Sequence, residues 1–118
     1  MTDEQQISAL QQNYAALFDA RDIDGFAALF AEDAELVVPG GLRLRGHERF
    51  RKAVANMPPG GTHHPEAATI EIDADTATAT SRFRFVPPSG PEVTGVYEDR
   101  FVRTADGWRF SFRRSVQD

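Results

Sequence analysis

The chain has no cysteine, which excludes disulfides and thiolate metal sites. It has no apolar run approaching the roughly 20 residues of a membrane-spanning helix. Its acidic first residues lack the basic and apolar regions of a signal peptide. These absences predict a soluble, cytoplasmic protein with no membrane partner. Positive charge is also in deficit: the formal net charge of -5 argues against a nucleic-acid partner, although arginines concentrate from Arg82 onward. No internal repeat, low-complexity tract or long linker interrupts the chain. Its 118 residues are therefore expected to form one domain, 1–118, with a core large enough to need no staples.

What is present begins with helical periodicity. Ile7, Leu10, Tyr14, Leu17 and Phe18 recur at spacings of three and four, which predicts an amphipathic helix over residues 3–21. Asp22 can cap a second helix that buries Ile23, Phe26, Leu29 and Phe30, with Glu32-Asp33 as the turn out. A short strand at Glu35–Val38 is closed by Pro39-Gly40-Gly41, and Leu42–Arg45 can return as its hairpin partner. Gly46 opens a third helix bearing Phe50, Val54 and Met57, ended by Pro58-Pro59-Gly60-Gly61. After a loop holding His63 and His64, four strands are expected at Thr69–Asp73, Thr76–Val86, Glu92–Arg103 and Trp108–Val116. Helices followed by a meander of strands mean an α+β fold, with the helices on the concave face of a curved antiparallel sheet. Such a sheet leaves a pocket at its open end.

The stretch Gly95–Arg103 carries the sharpest clue. Alternation places Gly95, Tyr97, Asp99 and Phe101 on one face, so a carboxylate shares an otherwise aromatic surface. An isolated carboxylate there is costly unless it is paired or protonated. Arg82, Arg84, Arg100, Arg109 and Arg113 are expected on the outer, polar face, paired with Glu92 and Glu98. Trp108, Phe110 and Phe112 are expected to alternate inward as core or pocket wall.

The run from Tyr14 through Asp19, Asp22, Asp24-Gly25-Phe26 and Leu36 to Pro39 resembles the opening of the nuclear transport factor 2-like superfamily. Gly46-His47-Glu48 with Phe50, and the ending Tyr97–Trp108, are similar to the same family, closest to SnoaL-like polyketide cyclases and ketosteroid isomerases. The resemblance implies a cone-shaped curved antiparallel sheet wrapped around three N-terminal helices, and a homodimer. The fold hosts isomerases, dehydratases, cyclases and plain binding modules, so it does not name a reaction.

In ketosteroid isomerases, a tyrosine and a protonated aspartic acid donate hydrogen bonds to an enolate oxygen. By resemblance these fall on Tyr14 and Asp99; the alternative pairs Asp99 with an arginine and leaves Tyr14 in the core. The isomerase base precedes the proline of the first strand, and here that position is Val38, which cannot move a proton. A histidine suits such work, and His63 and His64 are both candidates; resemblance to SnoaL-like dehydratases places the role at His64, with Tyr14 and Asp19. Tyr14 and Asp19 lie roughly 140° apart on a regular helix, so both reach one pocket only if the helix end bends. No third ligand accompanies the histidine pair at metal-binding spacing. Tyr97, Phe101, Val38, Phe83 and Trp108 are expected to line the substrate pocket, Tyr97 either donating into it or packing there. The expectation is a cofactor-independent isomerase, dehydratase or cyclase acting on a small hydrophobic carbonyl or hydroxyl compound. The alternative is a non-catalytic ligand-binding or dimerisation module.

Overall fold

A computed structural model describes residues Met1–Asp118. Helix α1 spans Asp3–Asp19, α2 Ile23–Ala27 and α3 His47–Asn56. The strands are β1 Phe30–Val37, β2 Arg43–Arg45, β3 Thr62–Pro65, β4 Thr69–Asp73, β5 Thr76–Val86, β6 Val93–Thr104 and β7 Gly107–Gln117. They form one sheet in the order β2-β1-β7-β6-β5-β3, with β4 on the same edge of β5 as β3. The sheet is curved and does not close into a barrel, and the helices fill its concave side.

Helix α1 starts where Thr2 and Gln5 satisfy each other's backbone N–H groups, at 2.9 and 3.1 Å. It buries Ile7, Leu10, Gln11, Tyr14 and Ala15, a stripe that faces the sheet. Asp22 caps α2 by accepting from the Gly25 N–H at 2.9 Å. Phe26, Phe30, Phe50, Phe101 and Phe110 are fully buried, each stabilising the fold by roughly 1.5–3 kcal/mol. At the narrow end, Trp108 donates its indole N–H to Asp3 at 3.1 Å, and Arg103 grips the same carboxylate. These contacts tie the start of α1 to the β6–β7 hairpin.

Four features depart from the sequence-based expectation. Helix α2 ends at Ala27, and β1 begins at Phe30, so Glu32 and Asp33 belong to a strand and not to a turn. The Phe110 N–H already bonds the Leu29 carbonyl at 2.9 Å, which draws this segment into the sheet. Second, β1 runs parallel to β7, while every other pairing is antiparallel. Third, His63 and His64 lie on edge strand β3, paired with Phe85 and Arg84 of β5, and not in a loop.

The fourth is a β-bulge in β7. Phe101 faces Phe110, yet Arg100 faces Phe112, leaving Ser111 as an extra residue. One added residue inverts the alternation. Trp108 and Phe110 point inward as expected, but Phe112 moves to the outer face, beneath the guanidinium of Arg100 at 4.6 Å. Arg113, expected outside, turns into the core and is 1% exposed. Of the other outer arginines, Arg84 meets Glu92 as anticipated, but Glu98 pairs with Arg114, Arg82 pairs with Asp118, and Arg109 bonds the Trp108 and Asp106 carbonyls.

Gly95 is required by close packing. A Cβ there would collide with the Val116 carbonyl oxygen and come within 2.8 Å of the Phe83 ring. That ring stacks on Tyr97 at 4.3 Å. Gly95→Ala is therefore expected to lower stability by about 1–3 kcal/mol through overpacking, measured by urea denaturation.

Candidate functional site

The wide end of the cone encloses a cavity of about 580 Å³, within the usual range for small-molecule sites. Its wall is mostly apolar: Phe18 from α1, Leu36 and Val38 around the end of β1, Met57 after α3, Phe83 and Phe85 from β5, and Val93 from β6. Set into that wall are Tyr14, Tyr97 and His63.

His63 owes its position to β3. Pairing opposite Phe85 puts it on the inner face of the sheet, and its ring packs 4.5 Å from Phe85 and 4.7 Å from Phe18. Asp19, the last residue of α1, accepts from the His63 backbone N–H at 2.7 Å and from Nδ1 at 2.6 Å. A carboxylate can only accept, so the proton of neutral His63 resides on Nδ1 and Nε2 carries the lone pair. Nε2 has no protein partner, yet Arg113 Nη1 is the one fully buried side-chain nitrogen or oxygen that lacks one. The lone pair is therefore open to the cavity. Burial pushes the imidazole below the usual histidine range, and the hydrogen bond and charge of Asp19 oppose that shift. His63 is thus neutral at neutral pH, oriented, and able to take a proton.

Tyr14 and Tyr97 form the opposite wall. Their rings meet edge to face at 5.7 Å, and Tyr14 stands 6.1 Å from the His63 ring. Neither hydroxyl donates to a protein acceptor, although Arg113 lies within hydrogen-bonding reach of Tyr14, and both residues line the cavity, so each O–H can donate to a ligand. Burial raises both phenol pKa values, keeping the protons in place, while the charge of Arg113 acts in the opposite direction.

Arg113 lies one layer behind. Its guanidinium packs over the rings of Tyr97 at 3.6 Å, Tyr14 at 4.3 Å and Phe110 at 4.8 Å. Its Nε and Nη2 donate to the two oxygens of Asp99 at 2.7 and 2.9 Å, a bidentate pair. Gln11 donates to the same carboxylate at 3.2 Å. Burial disfavours the guanidinium charge, but Asp99 outweighs it and holds the Arg113 pKa above its ordinary value.

Several expected site residues therefore change place. Asp99 is an acceptor bound to Arg113, outside the cavity lining, and cannot be the neutral donor beside Tyr14; the ion-pair alternative describes it. His64 points to the other side of β3, is exposed, and bonds Thr62 Oγ1 at 3.0 Å. The cavity histidine is His63. Phe101 and Trp108 are core residues, not pocket wall: Phe101 lies four residues, or roughly 13 Å, along β6 from Tyr97. Tyr14, Val38, Phe83 and Tyr97 do line the cavity. Asp19 need not share the face of Tyr14, because His63 stands between them. Sequence reading missed Arg113, which only the bulge turns inward. No group of three or more His, Asp or Glu side chains is arranged to hold a metal ion. No helix is long and apolar enough to cross a membrane.

The family model of the SnoaL-like domain matches residues 1–114, and the chain belongs to that family. Among solved structures, an NTF2-like protein with a cystatin-like fold from Novosphingobium aromaticivorans is 26% identical with a TM-score of 0.89; the match covers 98% of this chain and 81% of that one. Rv3472 of Mycobacterium tuberculosis, a protein of unknown function, is 26% identical with a TM-score of 0.88, over 97% of this chain and 70% of its own. A further Novosphingobium aromaticivorans protein, provisionally named an aromatic ring hydroxylase, is 28% identical with a TM-score of 0.82, over 98% and 88%. A search of curated proteins finds no significant match.

Two measurements check this geometry. Asp99→Ala strands a buried guanidinium and is expected to cost about 3–5 kcal/mol in urea denaturation, whereas the double change Asp99→Leu, Arg113→Met restores most of that loss. By NMR, His63 should titrate below about 6.5, the ordinary histidine value, and Asp19→Asn should lower it further by removing the opposing interaction. Because the folded value is depressed, the stability His63 contributes is present above pH 6.5 and is lost as pH falls through the folded value.

Proposed function

We propose that the chain is a cofactor-independent lyase or isomerase acting on a hydrophobic, cyclic carbonyl or hydroxyl compound. The observation that carries this reading is the Asp19–His63 pair opening its Nε2 lone pair into an apolar cavity. His63 Nε2 removes a proton from carbon next to a carbonyl, and Asp19 stabilises the resulting imidazolium. Negative charge develops on the carbonyl oxygen, where Tyr14 and Tyr97 donate their O–H groups. Fixed donors in a water-poor site stabilise such charge without reorganising, and the Arg113 cation behind both rings adds to the field. Returning the proton to another carbon completes an isomerisation. In a dehydration, the C–H electron pair forms the double bond as a β-hydroxyl leaves, protonated to water.

Structural neighbours carry different provisional names, including aromatic ring hydroxylase and scytalone dehydratase. The reading therefore rests on the side chains and not on the fold. The homodimer belongs to the same proposal, with the polar outer sheet face as its contact. A second reading, a non-catalytic binder, is favoured by Val38, an apolar wall residue where an isomerase's base is expected.

Exchange of α-protons in a cyclic ketone such as 1-tetralone, followed by NMR in deuterated buffer, separates the two readings. The wild type should accelerate exchange, and His63→Ala should lose roughly 10²–10⁴-fold of it. Activity should persist below pH 6.5 and fall as His63 protonates. Ketones that bind without any enzyme-dependent exchange would leave only the binder.

A further inference from the structure

The cavity differs in charge from the chain that forms it. Over all residues Asp and Glu outnumber Lys and Arg, 18 to 13. Yet no Asp or Glu lines the cavity, whereas Arg49 and Lys52 both do. These two and Asn56 stand on α3 at spacings of three and four, so they form one stripe along the cavity rim.

The two cations are not committed elsewhere. Arg49 makes no hydrogen bond or ion pair, although Arg51 on the same helix is matched by Asp24 at 3.0 Å. Lys52, the only lysine in the chain, approaches Glu48 at 3.5 Å with both side chains largely exposed. A pair of that kind contributes at most about 1 kcal/mol and yields readily to a better acceptor. An acidic chain thus places two available cations at the mouth of an apolar chamber and keeps carboxylates out of its lining.

We infer that the ligand is an amphipathic carboxylic acid, with its apolar ring system or chain in the cavity and its carboxylate at the α3 rim between Arg49 and Lys52. The inference rests on reading this cavity as the substrate site, but not on His63 acting as a base. Guanidinium and ammonium donors both recognise carboxylate, Arg49 with a planar fork. Arg49 lies seven residues before Asn56, roughly 10 Å along the helix axis. Met57 follows Asn56 and reaches the small crevice beside Asp19. The stripe therefore runs toward the Asp19–His63 pair, and its cationic end is the far one. A carboxylate held there leaves the remote end of the ligand at His63, away from its own negative charge. That separation favours proton removal, since a nearby anion would oppose the charge that develops.

The test compares 2-naphthylacetic acid with its primary amide, titrated calorimetrically at pH 7.5 into the wild type, Arg49→Gln, Lys52→Gln and the double variant. Both positions are exposed, so folding should be unaffected. The acid is expected to bind the wild type about five- to tenfold more tightly than the amide, a difference of about 1 kcal/mol. That preference should fall stepwise to none in the double variant, with amide affinity unchanged. Equal binding of acid and amide, equal losses for both in the variants, or binding of neither would overturn the inference. His63→Ala should keep the acid preference. A wild type that prefers the acid but drives no proton exchange would remove the base and leave the ligand class, and one that drives exchange without preferring the acid would do the opposite.

Discussion

The interaction on which the rest depends is the buried pair of Arg113 and Asp99. Taking two charges out of water costs several kcal/mol for each ion, and Coulomb attraction offsets that only with good geometry and further hydrogen bonds. Here the contact is bidentate, Gln11 supplies a third donor to the carboxylate, and aromatic faces surround the guanidinium. The pair joins β6 to β7, and through Gln11 it joins both strands to α1. Because Tyr14 and Tyr97 pack directly on the guanidinium, the placement of both phenols follows from it. An apolar pair of similar volume would satisfy stability alone; it would not supply a fixed cation behind the cavity wall.

This dependence explains what the sequence could disclose. The alternation of Gly95, Tyr97, Asp99 and Phe101 is local and is read correctly from side-chain type, and the same period shows in the burial of Ala77, Ala79, Ser81 and Phe83. The oddity of Asp99 on an aromatic face was likewise legible. Its resolution was not, because the bulge at Ser111 exists only relative to the partner strand. A strict alternation through β7 sends Phe112 inward and Arg113 outward, the inverse of the structure. The short strand β3 was hidden for a similar reason: four residues that follow Gly60-Gly61 and end in Pro65 carry little periodicity, and only pairing with β5 makes them a strand.

The histidine choice turns on that same register. Once His63 is known to face Phe85, it must share the inner face that alternation along β5 gives to Phe83 and Phe85. Without the register the two histidines are indistinguishable, and the resemblance pointed to His64, which faces away from the cavity. Asp19 and Tyr14 were both legible as helix-one residues, but their relation needed His63 between them to make sense.

A common arrangement then appears in the two acid-containing pairs. Asp19 stands behind His63, and Asp99 stands behind Arg113; in each case the carboxylate is one residue removed from the cavity. The cavity presents an imidazole lone pair and two phenolic O–H groups, while the anions that orient or balance them stay behind them. In the proposed reaction, an anion in the lining would repel the oxygen charge that proton removal creates, and in an apolar cavity that repulsion is weakly screened. Placing the acids behind their partners keeps their orienting effect and reduces that penalty. Val38 fits the proposed chemistry: with His63 of β3 as the proposed base, a carboxylate at the end of β1 would add a charge to a lining that holds no Asp or Glu.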